Sequence, residues 1–271
     1  MIPEMSIVTG TRHRPASLKR FLKSIRDTAS VPTEVIIADA SDTMPLSLLD
    51  GDALVNLHVE SLEHYHERPR LGTVLGYNAA FRKATGRYVA WFNDDCVLLP
   101  GWDRTAIDFM DSHEEVGLGC IYWKDPGGSW YLQSFQSMVY PNFGVFRADV
   151  LKQTGGFDER QIFLPLTGKV ERLTFYGNDT SAAFLVTDAG YAVCGIPGCK
   201  VEHFREQDAE RQENYRQHVH GNHGNIAGAV LWQLWNGDPE KQKQFGFEYG
   251  YRQLREKYNR FKHLHAPLEC N

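Results

Sequence analysis

Two adjacent carboxylates, Asp94 and Asp95, follow the apolar run RYVAWF and one asparagine, Asn93, and precede a second apolar stretch, CVLLPGW. If RYVAWF is a strand of a parallel sheet, its C-terminal end faces the crevice where α/β proteins bind ligands. Neighbouring carboxylates repel each other unless a proton or a cation compensates. A hard divalent ion, Mg2+ or Mn2+, that also bridges a diphosphate is the economical compensation; the alternative is a pair of turn-forming side chains that cap backbone amides. Two other apolar runs end in matching chemistry. EVIIAD closes on Asp39. MSIV runs into Thr9-Gly10-Thr11-Arg12-His13-Arg14, a polar and basic loop that offers amides and guanidinium groups to an anion. A basic loop, a carboxylate and a carboxylate pair at three successive strand ends suit a nucleoside diphosphate.

Those ends need a sheet to hold them together. The runs Met5–Thr9, Glu34–Ala38, Leu54–Val59, Arg87–Phe92 and Val116–Trp123 read as strands. Between them lie helical patterns. Leu18, Phe21, Leu22 and Ile25 recur at one helix face behind Pro15, which suits a first helical turn. Further helices are expected from about Gly72 to Ala84 and over Trp102–His113. Strand and helix in alternation predict an α/β fold with a mainly parallel sheet and helices on both faces. After Gly128 the rhythm changes. Ser129–Tyr140 can pair antiparallel, Ala148–Gln153 is a short helix stopped at Gly155-Gly156, and Asn178–Ala189 is a helix stopped by Gly190. We expect a core domain over residues 1–205 and a helical C-terminal extension over 206–271, packed on the core or at a homodimer interface. Its aromatic residues, Trp232, Trp235, Phe245, Phe247, Tyr249, Tyr251, Tyr258 and Phe261, suit packing; contact with an acceptor or a membrane surface is the alternative.

Composition narrows the class. With 29 basic and 34 acidic residues among 271, the chain lacks the positive excess of a general nucleic-acid binder. Five scattered cysteines (Cys96, Cys120, Cys194, Cys199, Cys270) read as reduced thiols, not a disulfide framework. No leader-like segment opens the sequence. Residues 126–146 and 218–237 carry no Asp, Glu, Lys or Arg, yet neither holds the roughly 18–20 continuous apolar residues of a membrane span. A soluble, cytoplasmic protein is expected, with the membrane surface as its only bilayer contact. His218, His220 and His223 lack a recognised zinc spacing and read as a solvated loop or a lid. Gly72 and Gly76 do not make a dinucleotide fingerprint.

In order and spacing, several segments resemble the nucleotide-sugar-dependent glycosyltransferases of family 2, which have the GT-A fold. They are SIVTGTRHRPASLKRFLKSI, EVIIADASD, LGTVLGYNAAFRKATGRYVAWFNDD, GVFRADVLKQTGGFDE, YGNDTSAAFLVTDAGY and VEHF, and they span roughly residues 5–205. The resemblance implies transfer of a sugar from a nucleotide diphosphate donor, a UDP-sugar first, to a hydroxyl of a glycan, lipid or protein acceptor, with inversion and with Mn2+ or Mg2+. It implies that Thr9, Thr11, Arg14, Asp39, Arg70, Gly72, Asn78, Asn93 and Asp94 bind the nucleotide sugar, Asn93 and Asp95 taking the outer places of the family's DXD signature. It further implies metal contacts from Asp95 and His203 and a general base at Asp179. Read without the resemblance, Asp179 is a helix N-terminal carboxylate whose pKa the helix dipole lowers, and His203 a structural histidine. Three departures stand out: Asn93 for a common Asp, Tyr77 for a common Arg, and Asn178 for a frequent Glu. Nucleotidyl transfer, or nucleotide-sugar binding without turnover, are the rival functions, the latter favoured by Asn93 and Asn178.

Overall fold

The computed structural model describes residues 3–41, 59–66, 73–135, 137–159, 161–164, 169–172, 178–204, 251–265 and 269–270. Strand β1 (Met5–Thr11) is buried on both faces, as a central parallel strand requires. Helix α1 (Pro15–Thr28) follows, with Pro15 in its first turn and Leu18, Phe21, Leu22 and Ile25 all buried. Each such side chain contributes roughly 1.5–3 kcal/mol of burial free energy. Strand β2 (Thr33–Asp39), buried throughout, pairs parallel with β1 and sets Asp39 opposite Thr11. Strand β3 (Val59–His66) pairs parallel with β2 and ends the sheet. It shares only Val59 with the expected strand over Leu54–Val59, whose other residues lie outside the described ones. The rest of β3 was not foreseen because Ser61-Leu62-Glu63-His64-Tyr65-His66 is too polar to resemble a buried strand.

Helix α2 (Thr73–Phe81) leads to β4 (Tyr88–Asn93), which pairs parallel with β1 on its other side and places Asn93 opposite Gly10. A two-residue turn, Asp94-Asp95, joins β4 to the short β5 (Cys96–Leu98). Beyond it lie α3 (Trp102–Ser112), β6 (Val116–Lys124), β7 (Trp130–Tyr131), the antiparallel hairpin β8 (Gln133–Phe135) and β9 (Met138–Tyr140), and β10 (Gly144–Arg147). Then come α4 (Ala148–Thr154), the pair β11 (Gln161–Leu164) and β12 (Lys169–Arg172), α5 (Asn178–Asp188) and β13 (Ala192–His203). The sheet is parallel through β3-β2-β1-β4 and mixed beyond, because β10 inserts antiparallel between β4 and β6. Helices cover both faces. Side chains of α1 and α3 pack on one side, and those of α2, α4 and α5 on the other.

Strand β13 carries an irregularity between Gly195 and Lys200, where Pro197 and Gly198 are exposed and Gly198 has φ +78. Past this bulge the strand pairs with β6 on one edge and with β5 on the other, so that His203 lies opposite Cys96. A bulge that re-aims a strand end next to a site is a common device. Helix α6 (Tyr251–Asn259) packs on α5: the Lys257 ammonium donates to the Asp188 carbonyl at 2.9 Å and to its carboxylate, and the Tyr258 hydroxyl accepts the Val139 N–H at 3.0 Å. Strand β14 (Glu269–Cys270) pairs antiparallel with β7. His218, His220, His223 and most of the aromatic residues expected in the extension lie outside the described residues. Cys96, Cys120, Cys194 and Cys199 are free and buried.

Candidate functional site

Parallel register brings the ends of β1, β2 and β4 to one edge, and side chains then tie those ends together. The Ala40 N–H donates to the Thr11 carbonyl at 2.9 Å, and the Ser41 N–H to the Asp39 carboxylate at 2.8 Å. His13 adopts φ +53, a conformation rare outside glycine, while its N–H donates to the Ser41 hydroxyl at 2.7 Å. The chain thereby turns so that Arg14, the residue before α1, reaches the carboxylate pair. Its guanidinium donates to Asp94 Oδ1 at 2.5 Å and to Asp95 Oδ2 at 3.2 Å, and the Thr11 hydroxyl donates to Asp94 Oδ2 at 2.7 Å. All of these side chains are buried or nearly so. Two buried anions are expensive to leave uncompensated, and the Arg14 guanidinium offsets charge on both.

The bulged strand β13 adds the fourth component. His203 Nε2 lies 3.2 Å from Asp95 Oδ1, and His203 Nδ1 lies 3.3 Å from Asp125 Oδ1 at the end of β6. The imidazole is held in place by Trp123, edge-on at 5.3 Å between ring centres, and by Phe143 at 5.4 Å. Beyond it the Phe204 N–H donates to the Asp95 carbonyl at 2.8 Å, and Arg20 of α1 covers the Phe204 ring. Among the described residues, no group of three or more His, Cys, Asp and Glu side chains is arranged around one cation position. Asp95 and His203 nevertheless present an oxygen and a nitrogen side by side. Asp125 was not anticipated, although the signal existed: it closes a strand, as Asp39 and Asp94-Asp95 do.

The remaining expected contacts divide. Asn93 sits at the end of β4, its side-chain oxygen 3.3 Å from the Tyr77 hydroxyl, which donates to the Phe92 carbonyl at 2.8 Å. Tyr77, noted above as a departure from a common arginine, plugs the ends of β1 and β4; burial keeps its phenol protonated. Asn78, expected to reach the nucleotide sugar, is turned away to a structural task. Fully buried, it donates to the Phe157 carbonyl and to Glu159, both at 2.8 Å, and accepts the Phe157 N–H at 2.9 Å. Gly156 makes this latch feasible: its φ is +84, and a Cβ there would lie 2.7 Å from Asn78 Oδ1. Thr9 is enclosed within β1, its hydroxyl without a hydrogen-bond partner among the described residues. Arg70 and Gly72 lie outside the described residues.

Asp179 stands in the first turn of α5, where its Oδ1 accepts the Thr180 N–H at 2.7 Å and the Thr180 hydroxyl at 3.4 Å. Its pKa is pushed up from 3.8 to about 6, because burial penalises the carboxylate more than the Thr180 hydrogen bonds favour it. The helix position argued for a lowered value. A helix terminus contributes typically 0.3–1 kcal/mol, less than one pKa unit, and desolvation exceeds it. Tyr140 of β9 feels the Asp179 charge; its phenol is pushed up to about 12, by burial first and by that charge second. Tyr131 packs against Trp123 at 4.3 Å between ring centres, and Trp123 in turn packs on His203.

This mixed sheet flanked by helices, with a basic loop and paired carboxylates at one edge, is the α/β architecture of GT-A proteins. The sequence pattern of Glycosyl transferase family 2 matches residues 6–163, more than half of the chain. The chain belongs to that family. A mannosyltransferase from Pyrobaculum calidifontis, solved with GDP-mannose and Mn2+, superposes with a TM-score of 0.59 at 18% identity, over 85% of this chain and 65% of that one. TarS of S. aureus, residues 1–349 with UDP-GlcNAc, gives 0.58 at 13% identity over 96% of this chain and 71% of that one. TarS in a longer form gives 0.56 at 16% identity, and there the present chain spans 43% of its length. No curated protein matches the sequence. At these identities the superpositions speak for the fold. Among the described residues, no helix is long and apolar enough to cross a membrane.

Proposed function

We propose that the protein transfers a sugar from a nucleotide diphosphate donor to an acceptor hydroxyl, with inversion at the anomeric carbon. A UDP-sugar is the first candidate for the donor. The observation that carries this reading is the contrast between two kinds of carboxylate. Asp94 and Asp95 are held by Arg14, as befits a site for charged phosphates. Asp179 faces no cation among the described residues and is pushed up to about 6, close to the working range of a general base. Environments that push carboxylates toward different roles mark acid–base assignments.

In the step itself, the acceptor hydroxyl gives its proton to Asp179 as its oxygen bonds to the anomeric carbon. The bond from that carbon to the diphosphate breaks, and its electron pair leaves with the nucleotide. Asp39, Thr11 and Asn93 border the nucleoside, and Arg14, with Arg70, offsets diphosphate charge. The donor set also fits a divalent cation: Asp95 Oδ1 and His203 Nε2 are adjacent and buried, and Mg2+ or Mn2+ often takes few protein ligands and completes its shell with phosphates and water. When bound, Mn2+ or Mg2+ would neutralise charge on the departing diphosphate. Residues 1–205 would form the catalytic domain and 206–271 the helical extension, and we place the protein in the cytoplasm.

The test is product identity. With UDP-sugars and GDP-mannose as probes and Mn2+ present, release of nucleoside diphosphate is expected. Release of pyrophosphate would replace this reading by nucleotidyl transfer. Donor binding with no turnover of any probe, to water or to added glycans, would leave only a binding protein.

A further inference from the structure

We infer that Asp125 fixes the tautomer of His203, keeping the ring proton on Nδ1 and leaving the Nε2 lone pair for a divalent cation beside Asp95. This inference deepens the cation reading above and rests on it. Both nitrogens of the His203 ring are shielded from solvent, so each must be served from inside the protein or by a ligand. Nε2 faces Asp95 Oδ1 at 3.2 Å, and Nδ1 faces Asp125 Oδ1 at 3.3 Å. Trp123 and Phe143 pack against the ring and offer it no acceptor. At 3.3 Å the Asp125 contact is one of charge more than of hydrogen-bond geometry, and charge alone ranks the two tautomers. A proton on Nδ1 lies against the Asp125 carboxylate. The rival proton on Nε2 would lie against Asp95, whose charge the Arg14 guanidinium already draws on at 3.2 Å. The balance favours Nδ1–H. Histidines that bind metals commonly direct their other N–H to a carboxylate in this way.

Local structure aims Asp125 at the ring. Strands β6 and β13 run parallel there, with Lys124 opposite Glu202 and their side chains paired at 3.1 Å. One residue further along, Asp125 and His203 meet. The chain then reverses through Asp125-Pro126-Gly127-Gly128, where the Gly128 N–H donates to the Asp125 carbonyl at 2.9 Å and Gly127 has φ +77. Proline and a left-handed glycine at the two central places make a type II turn. That turn closes on the Asp125 backbone and not on its carboxylate, so substitution of the side chain keeps it. Asp125 Oδ1 is enclosed although the side chain is 35% exposed. Asp125 lies on the ring nitrogen that points away from Asp95, so it acts through His203 and is a positioning residue.

The experiment uses the full chain with Asp125→Ala and Asp125→Asn, beside Asp95→Ala; His203→Gln assigns the ring signals. Nitrogen NMR of histidine-labelled, metal-free protein, at a pH where the ring is neutral, reads which nitrogen of His203 carries the proton. Nδ1–H is expected in the wild type and in Asp125→Asn, whose amide oxygen still accepts, with a shift toward Nε2–H in Asp125→Ala. Mn2+ alone is then titrated, and the free ion is followed by electron paramagnetic resonance. Its affinity should fall about 10–100-fold in Asp125→Ala, less in Asp125→Asn, and beyond detection in Asp95→Ala. A wild-type ring protonated on Nε2, or a tautomer that Asp125→Ala leaves unchanged, overturns the inference; a residue that serves the turn alone gives the second result. Mn2+ affinity unchanged in Asp125→Ala overturns it too, as does a loss as complete as in Asp95→Ala, which would make Asp125 a ligand. Wild-type protein that binds no Mn2+, although Asp125→Ala moves the tautomer, overturns the cation reading instead.

Discussion

Replacing Asp179 by asparagine should stabilise the protein at neutral pH while it removes sugar transfer. The folded carboxyl titrates at about 6 and the unfolded one at 3.8. Between those values the unfolded chain has released its proton and the folded chain has not. Stability therefore falls as pH rises through this window, and the loss is complete above the folded value. Linkage sets a ceiling of about 3 kcal/mol on this loss at pH 7.5 and about 1 kcal/mol at pH 4.5. Partial solvent contact of the Asp179 side chain scales both figures down together. Asparagine keeps an oxygen for the Thr180 N–H and carries no charge to desolvate. The variant's advantage in urea midpoint should therefore be clear at pH 7.5 and shrink severalfold by pH 4.5. An advantage that is independent of pH, or a loss of stability at pH 7.5, would refute the claim that Asp179 is held as a costly buried carboxylate. As the proposed base, Asp179 would then be a case of the trade between stability and activity.

Three further outcomes follow from the site. Asp95→Ala should abolish the Mn2+ dependence of UDP-GlcNAc or GDP-mannose binding in calorimetry, while Asp179→Asn leaves binding intact; equal losses in both would contradict the separate roles. Arg14→Gln removes a guanidinium that both buried carboxylates bind and should cost up to about 3–5 kcal/mol in chemical denaturation. Millimolar Mn2+ should restore part of that loss, and a variant as stable as wild type would mean that the pair is not charged as described. Asn78→Ala strands the Phe157 backbone groups and should destabilise by roughly 1–3 kcal/mol without changing donor affinity. Lost affinity at unchanged stability would return Asn78 to the binding site.

The legible part of this protein is what short-range pattern specifies. The α1 face, the buried strands β1, β2, β4 and β6, and the stops at Gly155 and Gly190 follow from apolar spacing and backbone preference, and their bounds agree with the structure within a few residues. Strand ends carrying Asp39 and Asp94-Asp95 were legible for the same reason, since an apolar run stops where carboxylates begin; that all three carboxylates stay buried was not legible. The part of β3 beyond Val59 was not foreseen because an edge strand need not be apolar.

Long-range contact decided the rest. The amino-acid order alone determined the α/β class, the strand-end carboxylates and the basic loop, because each depends on residues a few positions apart. Only the tertiary structure could turn Arg14 onto both carboxylates across some 80 positions, bring His203 to Asp95 through a bulge in β13, and give Asn78 to Phe157 instead of a ligand. It also reversed the expected direction of the Asp179 pKa. The helix dipole acts within a turn and can be read locally, whereas desolvation depends on every element that excludes water from the carboxylate.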